Sequence, residues 1–219
     1  MDLQLEHELS QPVVRHGTRS SERDILVYWG ISTVLGVFFL WDWLSVWNVG
    51  ATLRLPWLLA LLVATFTLSQ VLYVVVAHHD GRPIRWGPTM IFTVGNGICE
   101  TLSFALVYRL GELIGSSVMT MVAPSAASGV GFALGVVFFC AYGGLIHGLF
   151  WLRLLPPHLN DSPRSRTLRK FRPLAEVVLV LSWSLCLYLT RDIWTVVFVH
   201  LLVDFGLMLR VRPPLFVKK

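Results

Sequence analysis

A series of apolar stretches constrains this chain more than any other feature of its sequence. Each is about twenty residues long and holds few or no charged side chains. An α-helix of about twenty residues spans the roughly 30 Å hydrocarbon core of a bilayer. The sequence therefore predicts an all-α, polytopic membrane helix bundle. Its six transmembrane helices are expected at roughly 26–47, 55–77, 88–110, 127–152, 173–189 and 192–210.

The composition agrees with a membrane protein and excludes several other classes. Of the 219 residues, 55% are hydrophobic and 14% charged, which is not the balance of a soluble domain. Cys99, Cys140 and Cys186 lie inside apolar stretches without paired spacing, so we expect neither a disulfide framework nor a zinc motif. The polar N-terminal segment has no short apolar core behind it. We therefore expect no cleavable signal peptide, and the first helix should act as the insertion signal.

The basic residues predict the orientation of the bundle. Of the 18 Lys and Arg, only Arg54, Arg109 and Arg191 fall on one side of the six predicted spans, and the other 15 fall on the opposite side. By the positive-inside rule both termini are cytoplasmic, in a multi-pass protein of the cell inner membrane. Residues 1–25 and 211–219 are then cytoplasmic tails around a membrane bundle at 26–210. The basic loop from Leu155 to Pro173 is expected to touch anionic membrane lipids, and no nucleic acid is expected as a partner.

Ionisable side chains within three of the predicted helices mark a candidate site. His200 and Asp204 are four residues apart in the last apolar stretch, which puts them on one face of a helix. In the third helix Asn96, Glu100 and Ser103 form one polar stripe.

The depths of these groups predict that they meet. Glu100, His147, His200 and Asp204 each lie about 8–18 Å from the same side of the membrane by helical rise. Ionisable groups are disfavoured in hydrocarbon and should face the interior of the bundle. We therefore expect the four side chains to share one cavity.

These residues resemble the CPBP family (CAAX protease and bacteriocin-processing, also called ABI) of glutamic-type intramembrane proteases. That family carries Glu-Glu-x-x-x-Arg, then Phe-x-x-x-His, then His-x-x-x-Asn or Asp. The corresponding stretches here run from Glu100 to Ala105, from Gly143 to His147 and from His200 to Asp204. The resemblance covers about 95–209 and identifies the chain as a divergent member.

The resemblance implies hydrolysis of a membrane-associated peptide or protein without a metal or other cofactor. Glu100 and His147 would activate a water, and His200 with Asp204 would stabilise the oxyanion. Asn96, Thr101, Ser103 and Arg109 are expected to support the site. Arg109 would either take the place of the family's arginine or be a topology residue at the outer end of the helix. The chain departs from the motifs at three positions, which are Thr101, Ala105 and Gly143.

Four alternatives remain open on the sequence. The first is a non-catalytic membrane assembly or binding factor that keeps the fold and acts with a membrane-protein complex partner. The second is a small membrane enzyme acting on an isoprenoid, with Glu100 or Asp204 as proton donor. A transporter or proton relay is the third. The fourth is a metal site built from Glu100, His147 and His200.

Overall fold

The computed structural model describes residues 16–78, 83–153, 155 and 158–216. The described residues are almost entirely α-helical, and Ala77 and Leu159 form an isolated β-bridge. The predicted tails at 1–25 and 211–219 lie partly outside these residues. The helices are α1 (His16–Phe39), α2 (Trp41–Leu44), α3 (Val49–Leu53), α4 (Pro56–Val76), α5 (Trp86–Val122), α6 (Ala127–Arg153), α7 (Pro163–Thr190) and α8 (Ile193–Arg210).

Five stretches of the described chain are long and apolar enough to cross a membrane. They are Pro56–Val76, Trp86–Val122, Pro124–Gly148, Pro163–Thr190 and Ile193–Arg210. The protein is therefore a multi-pass membrane protein with an all-α bundle.

The first predicted span, at 26–47, differs from the structure. Helix α1 ends at Phe39, and the chain continues through two short helices. Four charged residues of α1 precede Ile25, so the apolar part of α1 is only about 15 residues, or about 22 Å, long. This part of α1 is shorter than a usual membrane span.

Helix α5 is longer than predicted, with 37 residues in place of a helix that ends near residue 110. Glu112 lies just beyond the predicted end of the helix, and Arg191 donates a hydrogen bond to its carboxylate. Gly111 also lets the backbone of α6 approach closely, since a Cβ there would lie 2.7 Å from the Leu134 carbonyl oxygen. This neutralised charge and close packing allow the helix to continue.

Helix α7 begins ten residues before the predicted start at 173. Ser162 caps its N-terminus by accepting a hydrogen bond of 3.2 Å from the Ser165 N–H, and Pro163 occupies the first turn. Pro173 lies inside this helix. Much of the predicted basic loop is therefore helical.

Helix α5 is the centre of the bundle and packs against α1, α6 and α8, while α4 packs against α7 and α8. The approach of α8 to α5 depends on Gly97. A Cβ at this position would lie 2.8 Å from Leu201 Cδ2 and 3.0 Å from Leu201 Cα. This contact brings the polar stripe of α5 against the His200 face of α8.

Arg109 forms an ion pair with Asp42 at the end of the bundle opposite the termini of the described chain. Its guanidinium donates to Asp42 and to the Phe39 carbonyl, and it lies 5.2 Å from the ring centroid of Trp43. The hydrogen bond from Arg109 holds the pKa of the exposed Asp42 carboxyl below its usual value.

Candidate active site in the bundle interior

A cavity of about 310 Å³ opens among α1, α4, α5, α6, α7 and α8. It lies toward the end of the bundle where α1 begins and α8 ends, since Ser21 and Leu207 both line it. Its walls are mostly apolar. Glu100, His147, His200 and Asp204 all line this one cavity, as their depths along the helices predicted.

Glu100 lies between two imidazoles from different helices. Its Oε1 is 3.8 Å from Nε2 of His147, and its Oε2 is 3.4 Å from Nε2 of His200. Glu100 is only 3% exposed. A buried carboxylate is costly unless partners of opposite charge or hydrogen-bond donors surround it, and both histidines can carry the needed proton.

Thr101 determines which nitrogen of His200 faces the cavity. Its hydroxyl donates to the Gly97 carbonyl at 2.6 Å and lies 2.9 Å from His200 Nδ1. Because the hydroxyl proton is already used, Thr101 accepts a hydrogen bond from a protonated Nδ1. Nε2 is left to face Glu100 and Asp204, whose Oδ2 is 3.5 Å away.

Aromatic rings hold the imidazole of His200 in place. The Phe104 ring is nearly parallel to it, with an interplanar angle of 7° and centroids 6.0 Å apart. The Trp183 ring centroid is 4.8 Å away on a tilted plane. A protonated imidazole gains from such ring faces, since their quadrupole attracts positive charge.

Asn96 links the two carboxylates. The Trp29 indole N–H donates to Asn96 Oδ1 at 3.1 Å, and a donor-only group fixes which end of the amide is the oxygen. Asn96 Nδ2 then donates to Glu100 Oε2 at 2.6 Å and to Asp204 Oδ2 at 3.0 Å. Asn96, a member of the predicted polar stripe, thus lies in hydrogen-bond contact with both carboxylates.

Ser103 supports the cavity wall and does not touch the carboxylate of Glu100. Its hydroxyl donates to the Glu100 carbonyl oxygen at 2.9 Å, so it accepts from the Tyr28 hydroxyl, 2.6 Å away. Tyr28 is a cavity residue of α1. Ser103 therefore ties α1 to the site.

The structure places Arg109 outside the cavity, at the end of the bundle away from it, which agrees with the second of the two roles expected from the sequence. Arg109 is nine residues beyond Glu100, about 13 Å along the helix axis, and is paired with Asp42 outside the cavity. The interaction with α2 takes the side chain away from the position that the motif predicted.

Sequence reasoning missed two charged residues of α7, Glu176 and Arg172. Both line the cavity, and Arg172 donates a hydrogen bond to Glu176 one turn later. Glu176 Oε1 is 3.4 Å from His147 Nδ1. Their spacing of four residues predicts an ion pair on one face of a helix. Charges near the predicted start of a span are common at membrane interfaces, so this spacing did not indicate a cavity.

Trp183 contributes a buried polar group without a partner. It is 2% exposed and lines the cavity, and its indole N–H makes no hydrogen bond to any described residue. Buried donors are satisfied in nearly all proteins, so this N–H is available to a water or to another group bound in the cavity.

The described residues group a different set of metal-ligand types from the one hypothesised. Ligand atoms of Glu100, His200 and Asp204 lie within 4.8 Å of one another, whereas His147 is not in the group. The three residue types suit zinc. However, the Asn96 NH2 group donates hydrogen bonds to Glu100 Oε2 and Asp204 Oδ2. Oxygens that accept hydrogen bonds in this way fit a cluster that shares protons better than a set of metal ligands.

Comparisons of the chain with protein-family models, with curated proteins and with solved structures give no match. The fold and the cluster themselves define the class. The chain is a polytopic α-helical membrane protein with a carboxylate–imidazole site buried in its bundle.

Proposed function

We propose that the protein is an intramembrane endopeptidase that hydrolyses a membrane-associated peptide with a water activated by Glu100 and His147. The observation that carries the proposal is the placement of Glu100, whose two oxygens face Nε2 atoms of two histidines across one cavity. In the proposal Glu100 and His147 accept a proton from the water, and His200 donates a hydrogen bond to the substrate. Peptide hydrolysis needs both.

The first half of the reaction forms the tetrahedral intermediate. The 3.8 Å between Glu100 Oε1 and His147 Nε2 is too long for a direct hydrogen bond, so a water between their edges can contact both. Glu100 takes one proton from that water as its oxygen attacks the peptide carbonyl carbon. The carbonyl π-electrons move to the oxygen, which becomes an oxyanion.

The second half breaks the C–N bond. In the proposed step the Nε2–H of His200 donates to the oxyanion, and Asp204 Oδ2 lies 3.5 Å from the same nitrogen. The Trp183 N–H is a second donor for the same oxygen. The proton held by Glu100 passes to the leaving amine, directly or through His147, as the oxyanion collapses to the new carboxyl group.

The proposed setting is the cell inner membrane with the cavity end of the bundle in the cytoplasm. The charge asymmetry of the loops supports this orientation, because most Lys and Arg flank that end. A substrate would then enter from the cytoplasmic leaflet.

Cleavage assays on the purified protein in vesicles test the proposal. The probe is a library of quenched fluorescent peptides with a C-terminal lipid anchor. We expect cleavage by the wild type and a fall of about 100-fold or more in Glu100→Gln and in His147→Asn. Matched controls are Asp161→Asn and His78→Asn, which remove an acid and an imidazole from exposed positions outside the cavity. Both controls should retain wild-type rates.

A second candidate is a metal-dependent hydrolase, favoured by the grouping of Glu100, His200 and Asp204. Adding a chelator to the same assay separates the two. Under the primary proposal the rate is unchanged, while loss of activity and recovery with zinc favour the metal enzyme. A wild type that cleaves no peptide while Glu100→Gln still supports its cellular phenotype would favour a non-catalytic binding factor.

A further inference from the structure

His147 lies between two carboxylates that come from different helices. Nε2 is 3.8 Å from Glu100 on α5, and Nδ1 is 3.4 Å from Glu176 on α7. The two nitrogens of one ring therefore face different acids. The imidazole edge also meets the face of the Phe104 ring, with centroids 5.6 Å apart and planes at 82°.

Arg172 anchors the carboxylate of Glu176. It lies one turn earlier on α7 and donates to the same Oε1 that faces His147. The Arg172 and Glu176 side chains are only 13% and 24% exposed, so both are largely shielded from water. A guanidinium bound to one oxygen limits the rotamers of the glutamate and places a positive charge beside it.

The Arg172–Glu176 pair fits the balance of charges in the cavity. Four carboxylates line the cavity, and three of them lie close to imidazoles, those of Glu100, Asp204 and Glu176, while the fourth, Asp24, is exposed. Arg172 and the two histidines supply up to three positive charges. A buried cluster of this kind is tolerated when its charges cancel and each is hydrogen-bonded.

We propose that Glu176, anchored by Arg172, is a positioning residue that holds the Nδ1–H of His147 and thereby directs Nε2 toward Glu100 and the water. The inference rests on the proposed function for its catalytic consequence. An acid behind an imidazole fixes the tautomer and the ring orientation, and it stabilises the imidazolium when a proton arrives. The acid and cation absent from α5 at Thr101 and Ala105 are in this way supplied by α7.

The test reads the tautomer of His147 without any substrate. Protein labelled with ¹⁵N-histidine is reconstituted in bicelles, and the His147 signals are assigned by their loss in His147→Asn. In the wild type we expect a protonated Nδ1. In Glu176→Leu, which has similar volume but no acceptor, we expect the preference for Nδ1–H to be lost.

Kinetic measurements on the same variants separate positioning from packing. We expect kcat to fall at least tenfold in Glu176→Leu with KM changed less than twofold, and Glu176→Asp to recover part of the loss. Arg172→Gln should lower kcat by a smaller factor. The matched control is Arg169→Gln, on the same helix as Arg172. It removes a cation that is paired with exposed Asp161, and it should leave the His147 tautomer and kcat unchanged.

An unchanged His147 tautomer in a folded Glu176→Leu protein would overturn the inference. If the Leu variant does not fold, Arg172→Gln decides, and an unaltered spectrum and kcat in that variant would also overturn it. A wild type that shows the Nδ1–H preference but cleaves no peptide would instead defeat the proposed function alone. The two failures are therefore distinguishable.

Discussion

At the scale of single residues, Thr101 shows how a departure from the resembled motif acquires a role. The family has a second glutamate at this place, whereas here a hydroxyl accepts from Nδ1 of His200 and donates to the Gly97 carbonyl. Thr101 is 1% exposed and lies on the face of α5 that packs against α8, where a short side chain fits. The residue that looked like a loss therefore orients the proposed oxyanion donor.

Replacing Thr101 by Val should lower kcat about tenfold or more. The variant keeps the shape but leaves a buried imidazole N–H without an acceptor, and a hydrogen bond to a charged group contributes about 1.5–3 kcal/mol. Peptide cleavage rates in vesicles measure the effect. Thr101→Ser keeps the hydroxyl and serves as the control. Equal rates in the Val and Ser variants would show that the hydroxyl does not act on His200.

Replacing Trp183 by Phe should lower kcat with little change in KM. The ring remains against His200, but the N–H that has no partner among described residues is removed. A single oxyanion donor contributes about 100-fold in rate in well-studied enzymes. We expect a smaller loss, about tenfold, because His200 remains. A wild-type kcat in Trp183→Phe would exclude the indole from the reaction.

At the scale of helices, the site depends on how closely α5 and α8 approach. Glu100 and His200 meet because Gly97 leaves room for the backbone of α8 at Leu201. The apolar stretches predicted α4, α6 and α8 to within a few residues. The start of α7 and the end of α5 could not be predicted in this way, because a serine cap and an Arg191–Glu112 pair extend these helices into charged sequence.

Replacing Gly97 by Ala should separate α5 from α8 and destabilise the protein by about 1–3 kcal/mol, the usual effect of overpacking. Peptide cleavage should fall as well, since His200 moves with α8. The control is Gly144→Ala on α6, where a Cβ meets nothing within 4 Å. Thermal unfolding in detergent measures stability, and a Gly97→Ala protein as stable and as active as Gly144→Ala would contradict the packing account.

At the scale of the whole molecule, the cavity joins side chains that are far apart in sequence. Glu100, His147, His200 and Asp204 could be predicted because an ionisable group is conspicuous in an apolar helix. Glu176 and Arg172 could not, since the face of α7 that turns inward depends on its packing against α4, α6 and α8. The sequence left two roles open for Arg109, and the structure pairs it with Asp42, on α2, away from the cavity.

The orientation of the molecule can be tested by cysteine labelling. In a chain whose three native cysteines are replaced by alanine, we expect Arg164→Cys to react with a membrane-impermeant maleimide only from the cytoplasmic side. Asp42→Cys, at the opposite end of the bundle, should react only from the other side. The reverse labelling pattern would place the cavity on the outer face and contradict the positive-inside prediction.

The central claim is that Glu100 activates a water for attack on a peptide carbonyl. Cleavage in water enriched in ¹⁸O, followed by mass spectrometry of the products, tests it most directly. The account predicts one ¹⁸O atom in the new carboxyl group with the wild type and almost no product with Glu100→Gln. Product formation by Glu100→Gln at the wild-type rate would contradict it.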